Sequence, residues 1–229
     1  MNILSLLKSK KELILDYLEN FLNEKKNEFE RVNRWGADII PRLLNFLESG
    51  KMIRGALILF AYKLFKEEIS ENVIAAAAAI ELFQSSLLIH DDIMDNDFTR
   101  RGNPSVFYQY KDMGEQKKIK DSLQFGISEG ICLGDIGFFL AFEVLSWKDK
   151  KNLSLIELFS KELSLVGLAQ MEDVFLGMSN QKIKESDVLS VYQYKTARYT
   201  FSLPLMAGAL LAGESKKIIE NFSKLGEYL

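Results

Sequence analysis

The stretch Glu81–Gly102 holds the residues whose types and spacing are best suited to chemistry. It places four aspartates within seven residues and two arginines soon after them: Asp91, Asp92, Asp95, Asp97, Arg100 and Arg101. Asp91 and Asp95 are four residues apart, so a helix would stack their carboxylates on one face. The two charges repel each other and, at a helix C-terminus, also face the negative end of the helix dipole. Divalent cations between the carboxylates would offset this cost, and the arginines would suit a phosphorylated ligand.

An alternative interpretation of this stretch is a solvated acidic helix end followed by a basic turn, and the stretch by itself does not separate the two. Lys51 and Arg54, three residues apart beside Gly50, also allow two interpretations. They either complete an anion site at a helix N-terminus or lie exposed at a joint between helices. His90 has no second histidine and no cysteine nearby, which favours a packed or hydrogen-bonded side chain over a metal ligand.

Long helices must position these residues. The 229-residue chain is 48% hydrophobic with three prolines, and no segment shows the alternation or turns of a β-hairpin. The sequence therefore predicts a single all-α domain over residues 1–229, a bundle of about eight helices or more. Gly130, Gly134 and Gly137 predict close contact between helices. The predicted helices include Leu4–Glu30, Val73–Asp95, Leu123–Leu145, Asn152–Leu176, Val188–Ala197 and Tyr199–Gly213, the last with a kink at Pro204.

Composition excludes several classes of protein. A formal net charge of −3 and a pI near 5.5 give no electrostatic case for nucleic-acid binding. The lone Cys132 excludes a disulfide framework, fits a reducing compartment and is expected to fill space in the core. The longest uncharged run, Tyr199–Gly213, has fifteen residues, fewer than the roughly 20 that span a bilayer. We therefore expect a soluble cytoplasmic protein without a transmembrane segment.

Taken together, these motifs resemble those of the trans-polyprenyl diphosphate synthases, the head-to-tail prenyltransferase family. DDIMD at Asp91–Asp95 matches the first aspartate-rich motif DDxxD, and Arg100–Gly102 matches its arginine pair. SGKMIRG at Ser49–Gly55 matches the GGKxxRP motif. The further matches, in chain order, are Gln84 at a His/Gln position, Gly134-Asp135, Gln170 with Asp173 as QxxD, and Lys195-Thr196 as KT. DDxxD alone would be weak, but this set of motifs in this order is specific.

The sequence also departs from the family pattern. Ser49 replaces a glycine, Gly55 replaces a proline, and Met52 stands where the family often has a basic residue. The last residues, FSKLGEYL at Phe222–Leu229, resemble the lead-in to the second aspartate-rich motif. We therefore expect the C-terminal part of the family domain, with its second metal-binding cluster, to be absent.

The resemblance implies an isoprenoid-synthase-like helical bundle around a central cavity and a Mg²⁺-dependent activity. Isopentenyl diphosphate would be condensed with an allylic diphosphate, with two or three Mg²⁺ ions per site. Asp91 and Asp95 would bind Mg²⁺ directly, with Asp92 supporting them. The expected ligands of the allylic diphosphate are Arg100, Lys195 and Thr196, and those of isopentenyl diphosphate are Lys51, Arg54, Gln84 and Arg101. Gln170 and Asp173 would line the site, and Asp173 would assist at the metal.

Product length would depend on the helix before the aspartates. Ser86 and Leu87 lie about one turn before Asp91, and Phe83 lies one turn deeper, about 5 Å further. Ser86 is small and leaves room for a prenyl tail, whereas Phe83 would form the floor of the channel. This arrangement predicts a product longer than fifteen carbons, geranylgeranyl diphosphate or similar. The alternative is that Phe83 faces the core and another helix sets the length.

Three functional hypotheses follow. The first is an active synthase, expected by resemblance to be a homodimer. The second is a non-catalytic or split subunit that partners a second synthase polypeptide in a heteromer. The third is a class I terpene cyclase, which Lys51, Arg54 and Arg101 argue against because a cyclase has no second diphosphate to bind.

Overall fold

The computed structural model describes residues 3–146 and 153–229, and nearly all of them are helical. The helices are α1 Ile3–Val32, α2 Gly36–Glu48, α3 Ile53–Lys63, α4 Glu71–Met94, α5 Val106–Gln116, α6 Ser122–Ser146, α7 Leu153–Met178, α8 Glu185–Val191, α9 Leu203–Leu211 and α10 Lys216–Glu227. A π-helical segment, Tyr192–Ser202, joins α8 to α9. The all-α prediction is confirmed. Asn152, the predicted start of α7, lies outside the described residues.

A short antiparallel ribbon follows α4, and the sequence did not predict it. Strands β1 (Thr99–Arg100) and β2 (Asn103–Pro104) pair with Arg100 opposite Asn103. The two residues between them both have positive φ, 53° at Arg101 and 80° at Gly102, as a two-residue hairpin turn requires. The expectation that no hairpin occurs was wrong, because strands of two residues are too short to show alternation.

The chain divides into two compact units. The first unit comprises the described parts of Met1–Tyr17, Lys51–Ile80 and Val144–Leu229, and the second comprises Leu18–Gly50 and Glu81–Glu143. Helices α1, α4 and α6 each contribute residues to both units. The single domain over residues 1–229 stays a prediction.

Small residues let helices approach closely in the first unit. Ala75–Ala79 have high helix propensity and are all buried, at most 3% exposed. A Cβ at Gly55 would come within 2.6 Å of the carbonyl oxygen of Ala77. A Cβ at Gly208 of α9 would come equally close to the carbonyl oxygen of Ile58 in α3. These contacts pack α3 between its neighbours and so fix the helix that carries Arg54.

Glycines on α6 do the same in the second unit. Gly134 lies against the His90 ring, and Gly137 lies against Ser86 Oγ, so a side chain at either position would collide with α4. The prediction of close helix contact at these glycines is confirmed. Cys132, on the same helix, is exposed, so its expected role in the core was wrong. Helical periodicity turns Cys132 away from the face on which the glycines lie.

The π-helical segment and α9 form one continuous helix, whose hydrogen-bonding pattern changes at Leu203. The sequence predicted one helix over Tyr199–Gly213, whereas the structure is π-helical to Ser202 and α-helical from Leu203. The N–H of Leu203 donates to the carbonyl of Arg198, five residues back. Pro204 follows directly after the π-helical segment, inside the continuous helix, where it supplies no backbone N–H donor. The kink expected at Pro204 stays a prediction.

Two helices are long and apolar enough to cross a membrane, by length and composition only. They are α4 and α6, whose apolar windows are 72% and 39% buried within the protein. Neither helix stands out as an uncharged run in the sequence, because charged residues interrupt both, such as Glu81 in α4 and Asp135 in α6. One or two such helices are weak support for membrane insertion, since buried core helices pass the same test.

Candidate functional site

The aspartates of DDIMD lie at the C-terminal end of α4. The N–H of Asp95 donates to the carbonyl of Asp91 at 2.9 Å, so the helical turn continues through both residues. Asp91 is partly exposed, with 18% of its side chain accessible, and Asp95 is exposed. The two carboxylates therefore lie on one solvent-facing side of the helix end, as their spacing predicted.

Asp92, unlike Asp91 and Asp95, lies on the buried side of the helix end. Its side chain is fully buried, and Arg100 Nε donates to its Oδ1 at 2.6 Å. Burial raises the pKa of Asp92, and the bond from Arg100 opposes that rise. Its other oxygen, Oδ2, is buried and has no hydrogen-bond partner within the described residues. Arg100 Nη2 also lies 3.5 Å from Asp91 Oδ2 and 3.8 Å from Asp97, so one guanidinium serves three carboxylates.

The two adjacent arginines of the hairpin have different partners: Arg100 bonds to Asp92, whereas Arg101 bonds to Ser49. Arg101 Nη1 donates to Ser49 Oγ at 2.8 Å and lies 3.4 Å from the carbonyl oxygen of Phe46. Its guanidinium carbon is 5.7 Å from the centre of the Phe46 ring. Burial, followed by repulsion from Arg100, lowers the pKa of Arg101. Ser49, the departure from the family glycine, is thus the hydroxyl that holds Arg101 to the end of α2.

His90 is a packed, hydrogen-bonded residue, as predicted. Its Nε2 lies 3.1 Å from the carbonyl oxygen of Ile131 and 3.5 Å from Asp135 Oδ1. The ring also lies 5.5 Å from that of Phe138.

The residues predicted to set product length pack against α6. Phe83 is fully buried, and its ring contacts Phe142 edge to face at 4.9 Å and Phe138 at 6.2 Å. Ser86 is also fully buried, and its hydroxyl donates to the carbonyl of Leu82 at 3.0 Å. Gln84 and Leu87 are half-buried. Phe83 is thus backed by two further aromatic rings, which the sequence analysis did not identify.

In the first unit, Lys195 pairs with Asp173. Lys195 Nζ donates to Asp173 Oδ2 at 2.6 Å, and the two side chains are 28% and 42% exposed. Gln170 lies three residues before Asp173 on α7 and is half-buried, while Thr196 is exposed. The KT and QxxD motifs are therefore adjacent in space, although 22 residues separate Asp173 and Lys195 in the chain.

Arg54 is held by two residues that the sequence analysis missed. Its Nη2 donates to Thr200 Oγ1 at 2.7 Å, and its guanidinium carbon lies 4.5 Å from the centre of the Tyr199 ring. Its Nε is buried without a hydrogen-bond partner in the described part of the chain. Lys51 is exposed just before α3. No spacing rule could have found the bond to Thr200, because the two residues are 146 positions apart.

The predicted site residues thus form two groups, one in each compact unit. The second unit contains Asp91, Asp92, Asp95, Arg100, Arg101, Phe83, Gln84, Ser86 and Leu87. The first unit contains Lys51, Arg54, Gln170, Asp173, Lys195 and Thr196.

The aspartates at the end of α4 offer oxygen ligands of the kind that a hard cation prefers. Among the described residues, no group of three or more His, Cys, Asp or Glu side chains surrounds a metal position. Asp91 and Asp95 supply two carboxylates on one accessible side. Mg²⁺ takes few protein carboxylates and completes its octahedral shell with water and phosphate oxygens, so this donor set fits it.

Comparison with known proteins places the chain in a family. The family model for polyprenyl synthetase matches residues 40–229. The chain belongs to this family. It is 29% identical over 229 residues to farnesyl pyrophosphate synthase 1, mitochondrial, of Arabidopsis thaliana, across 94% of this chain and 53% of that protein. It is 30% identical over 184 residues to geranylgeranyl diphosphate synthase of Methanosarcina mazei, across 79% and 51%.

A solved structure agrees with this assignment. The crystal structure of geranylgeranyl pyrophosphate synthase from Corynebacterium glutamicum, complexed with isoprenyl diphosphate and magnesium, superposes with a TM-score of 0.89. It is 27% identical, and the match covers 96% of this chain and 64% of that one. The resemblance stated from the sequence motifs is confirmed. The chain spans about half the length of the two relatives from Arabidopsis and Methanosarcina.

Proposed function

We propose that this chain is a Mg²⁺-dependent prenyltransferase that joins isopentenyl diphosphate head-to-tail to an allylic diphosphate. The observation that carries the proposal is the Arg100 cluster, in which Asp92 holds the guanidinium beside the Asp91 carboxylate. A cation and solvent-facing carboxylates at one helix end suit a metal-bridged diphosphate. Membership of the family and the motif set support the same activity.

In the second unit, Asp91 and Asp95 would hold Mg²⁺, which would supply positive charge to the diphosphate leaving group. Asp92 is buried and hydrogen-bonded to Arg100. We therefore propose that Asp92 orients Arg100 towards the allylic diphosphate. Arg101, fixed by Ser49 at the end of α2, would contribute with Gln84 to binding isopentenyl diphosphate.

In the first unit, Lys195 and Thr196 would bind the allylic diphosphate, and Lys51 and Arg54 would bind isopentenyl diphosphate. Thr200 and Tyr199 hold the Arg54 guanidinium in one orientation, which lowers the entropy lost on binding. Gln170 and Asp173 would line the allylic side.

The reaction begins when the allylic carbon–oxygen bond breaks and the diphosphate leaves with the electron pair. Cationic side chains aimed at this leaving group stabilise the charge that develops on it. The double bond of isopentenyl diphosphate then attacks the allylic cation and forms the new carbon–carbon bond. Transfer of a proton from the resulting cation to the released diphosphate would then give an allylic diphosphate five carbons longer.

We assign the product length to Phe83, with geranylgeranyl diphosphate or a similar chain as the product. Phe83 is fully buried and backed by Phe142 and Phe138, so its ring forms a stiff wall. Ser86 and Leu87 lie nearer to Asp91 on the same helix. A fully buried ring packed against two other rings cannot move aside at low cost for a longer tail.

We further propose a cytoplasmic protein that acts as a homodimer or heteromer. A row of exposed apolar side chains at helical spacing supports association: Leu168, Met171, Phe175 and Met178 on α7, each at least 51% exposed. Such a row is typical of an interaction surface. The exposed Cys132 thiol fits a reducing compartment.

The purified chain can be tested with Mg²⁺, isopentenyl diphosphate and five-, ten- and fifteen-carbon allylic diphosphates, with products identified by mass spectrometry. We expect elongation that stops when EDTA is added or when Asp91 and Asp95 are both changed to Asn. No elongation by the folded chain with any starter would contradict the proposal. If that silent chain altered the product of an added full-length synthase, the partner-subunit alternative would replace it.

A further inference from the structure

The π-helical segment Tyr192–Ser202 carries several groups assigned to diphosphate binding. Lys195 and Thr196 lie in its first half, and Tyr199 and Thr200, which hold Arg54, lie in its second half. A π-helix is rare and persists only where the surrounding structure supports it. The contacts that hold this segment therefore decide where its functional side chains lie.

Arg198, at the centre of the segment, makes the strongest of these contacts. Its Nε and Nη2 donate to the two carboxylate oxygens of Glu162 on α7, at 3.1 and 2.7 Å. Its Nη1 donates to Glu227 on α10. Glu162 is only 3% exposed, so the two-point bond is shielded from water. No local pattern in the sequence marks Arg198, because its partners are 36 and 29 residues away.

A second set of contacts pins the end of the segment to α10. Ser202 Oγ donates to the carbonyl of Ser223 at 2.7 Å. Gly226 lies directly against the backbone of Ser202, where a Cβ would collide with it. Glu227, the neighbour of Gly226, is the residue that bonds Arg198 Nη1. The segment is thus held on one side by α7 and on another by α10.

We propose that Arg198 is a positioning residue that fixes the register of the π-helical segment and thereby the diphosphate-binding geometry of Lys195, Thr196 and Arg54. This inference rests on the proposed function. We assign Arg198 no contact with diphosphate, since its Nε, Nη1 and Nη2 each donate a hydrogen bond to a carboxylate and its partners lie within the helical scaffold. Its rigid fork matches both oxygens of Glu162, so it fixes orientation as well as distance.

The test replaces both partners of the ion pair between Arg198 and Glu162. Changing Arg198 and Glu162 together to Met leaves no unpaired charge at the buried position of Glu162, and Glu227, the other partner of Arg198, is 29% exposed and stays accessible to water. An apolar replacement of this kind often preserves the fold. The matched control changes Lys216 and Glu220 to Met, which removes an exposed ion pair of 3.8 Å from α10. Circular dichroism and thermal unfolding of each variant establish that it is folded.

Two measurements decide the outcome. Hydrogen exchange of the amides of residues 192–202 should be faster in the double variant by about tenfold and unchanged in the control. The Kd for inorganic diphosphate with Mg²⁺, and the KM for the allylic diphosphate, should rise by about fivefold or more. Unchanged exchange and unchanged Kd in the folded double variant would overturn the proposal.

The exchange measurement keeps this inference separate from the proposed function. If the native chain binds no diphosphate but exchange still rises in the double variant, the register role stands and the assigned function fails. If the double variant does not fold, Arg198→Lys replaces it, since lysine keeps the charge but loses the two-point bond. Exchange and diphosphate affinity in Arg198→Lys equal to those of the native chain would again overturn the proposal.

Discussion

Lys195 Nζ lies 2.6 Å from Asp173 Oδ2, so the cation proposed to bind the allylic diphosphate already pairs with a carboxylate of the same unit. Both side chains are partly exposed, at 28% and 42%, so the pair is worth only about 0.5–1 kcal/mol. A diphosphate must compete with Asp173 for the lysine unless a cation occupies the carboxylate.

We therefore predict that Asp173→Asn strengthens binding of inorganic diphosphate in the absence of Mg²⁺. Loss of the competing carboxylate should lower the Kd about two- to fivefold, the factor that corresponds to the energy of such a pair. Isothermal titration calorimetry in EDTA measures it. The control is Glu172→Gln, which removes the neighbouring carboxylate but leaves the bond between Lys195 and Asp173 intact. Equal or weaker binding by Asp173→Asn would contradict the prediction.

Arg100→Ala should destabilise the protein strongly because it leaves Asp92 as an unpaired buried carboxylate. The expected loss in the free energy of unfolding is about 3–5 kcal/mol, measured by urea denaturation. Adding Asp92→Asn should recover much of it, because the asparagine carries no charge. Arg31→Ala, an exposed arginine of α1, is the control and should change stability little. A small effect of Arg100→Ala would mean that water reaches Asp92.

The pH dependence of stability should report on Asp38, whose carboxylate accepts hydrogen bonds from Arg42 Nε and Nη2, at 3.0 and 2.6 Å, and from the Tyr110 hydroxyl at 2.6 Å. Burial acts to raise the pKa of Asp38, but hydrogen bonds from Arg42 and Tyr110 outweigh it and lower the pKa below its usual range. Because the folded pKa is the lower one, the stabilisation is present above the unfolded pKa and is lost as pH falls through the folded pKa. The stability difference between the native chain and Asp38→Asn should shrink from pH 5 to pH 2 in urea titrations. A constant difference would contradict this.

Phe83→Ala should lengthen the product beyond that of the native chain, because it removes the wall that stops the tail. Phe21→Ala is the control, since Phe21 is an equally buried ring of the same unit but belongs to α1 rather than α4. Both changes should destabilise the protein by about 3–5 kcal/mol, so assays belong at low temperature. Mass spectrometry gives the chain lengths. Unchanged length in Phe83→Ala would show that Phe83 belongs to the core and that another element sets the length.

Helix identity was largely predictable from the sequence. Long apolar periodic runs predicted Val73–Asp95 and Leu123–Leu145, and the structure has α4 and α6 within two residues of these bounds. The hairpin at Arg101-Gly102 and the π-helical segment were missed. Both depend on backbone conformations that a few residues adopt because of their tertiary surroundings, and neither leaves a periodic pattern.

The sequence by itself determined the family, the helical class and the kinds of chemical group available, because motif residues lie close together in the chain and helical spacing is local. Only the tertiary structure decided which acidic side chain pairs with which basic side chain. Asp92 turns inward to Arg100 while Asp91 and Asp95 stay accessible, and Lys195 meets Asp173. Any of the chain's 29 basic residues could have paired with any of its 32 acidic ones. Charge is not directional over distance, so only the packing of the helices selects the pairs.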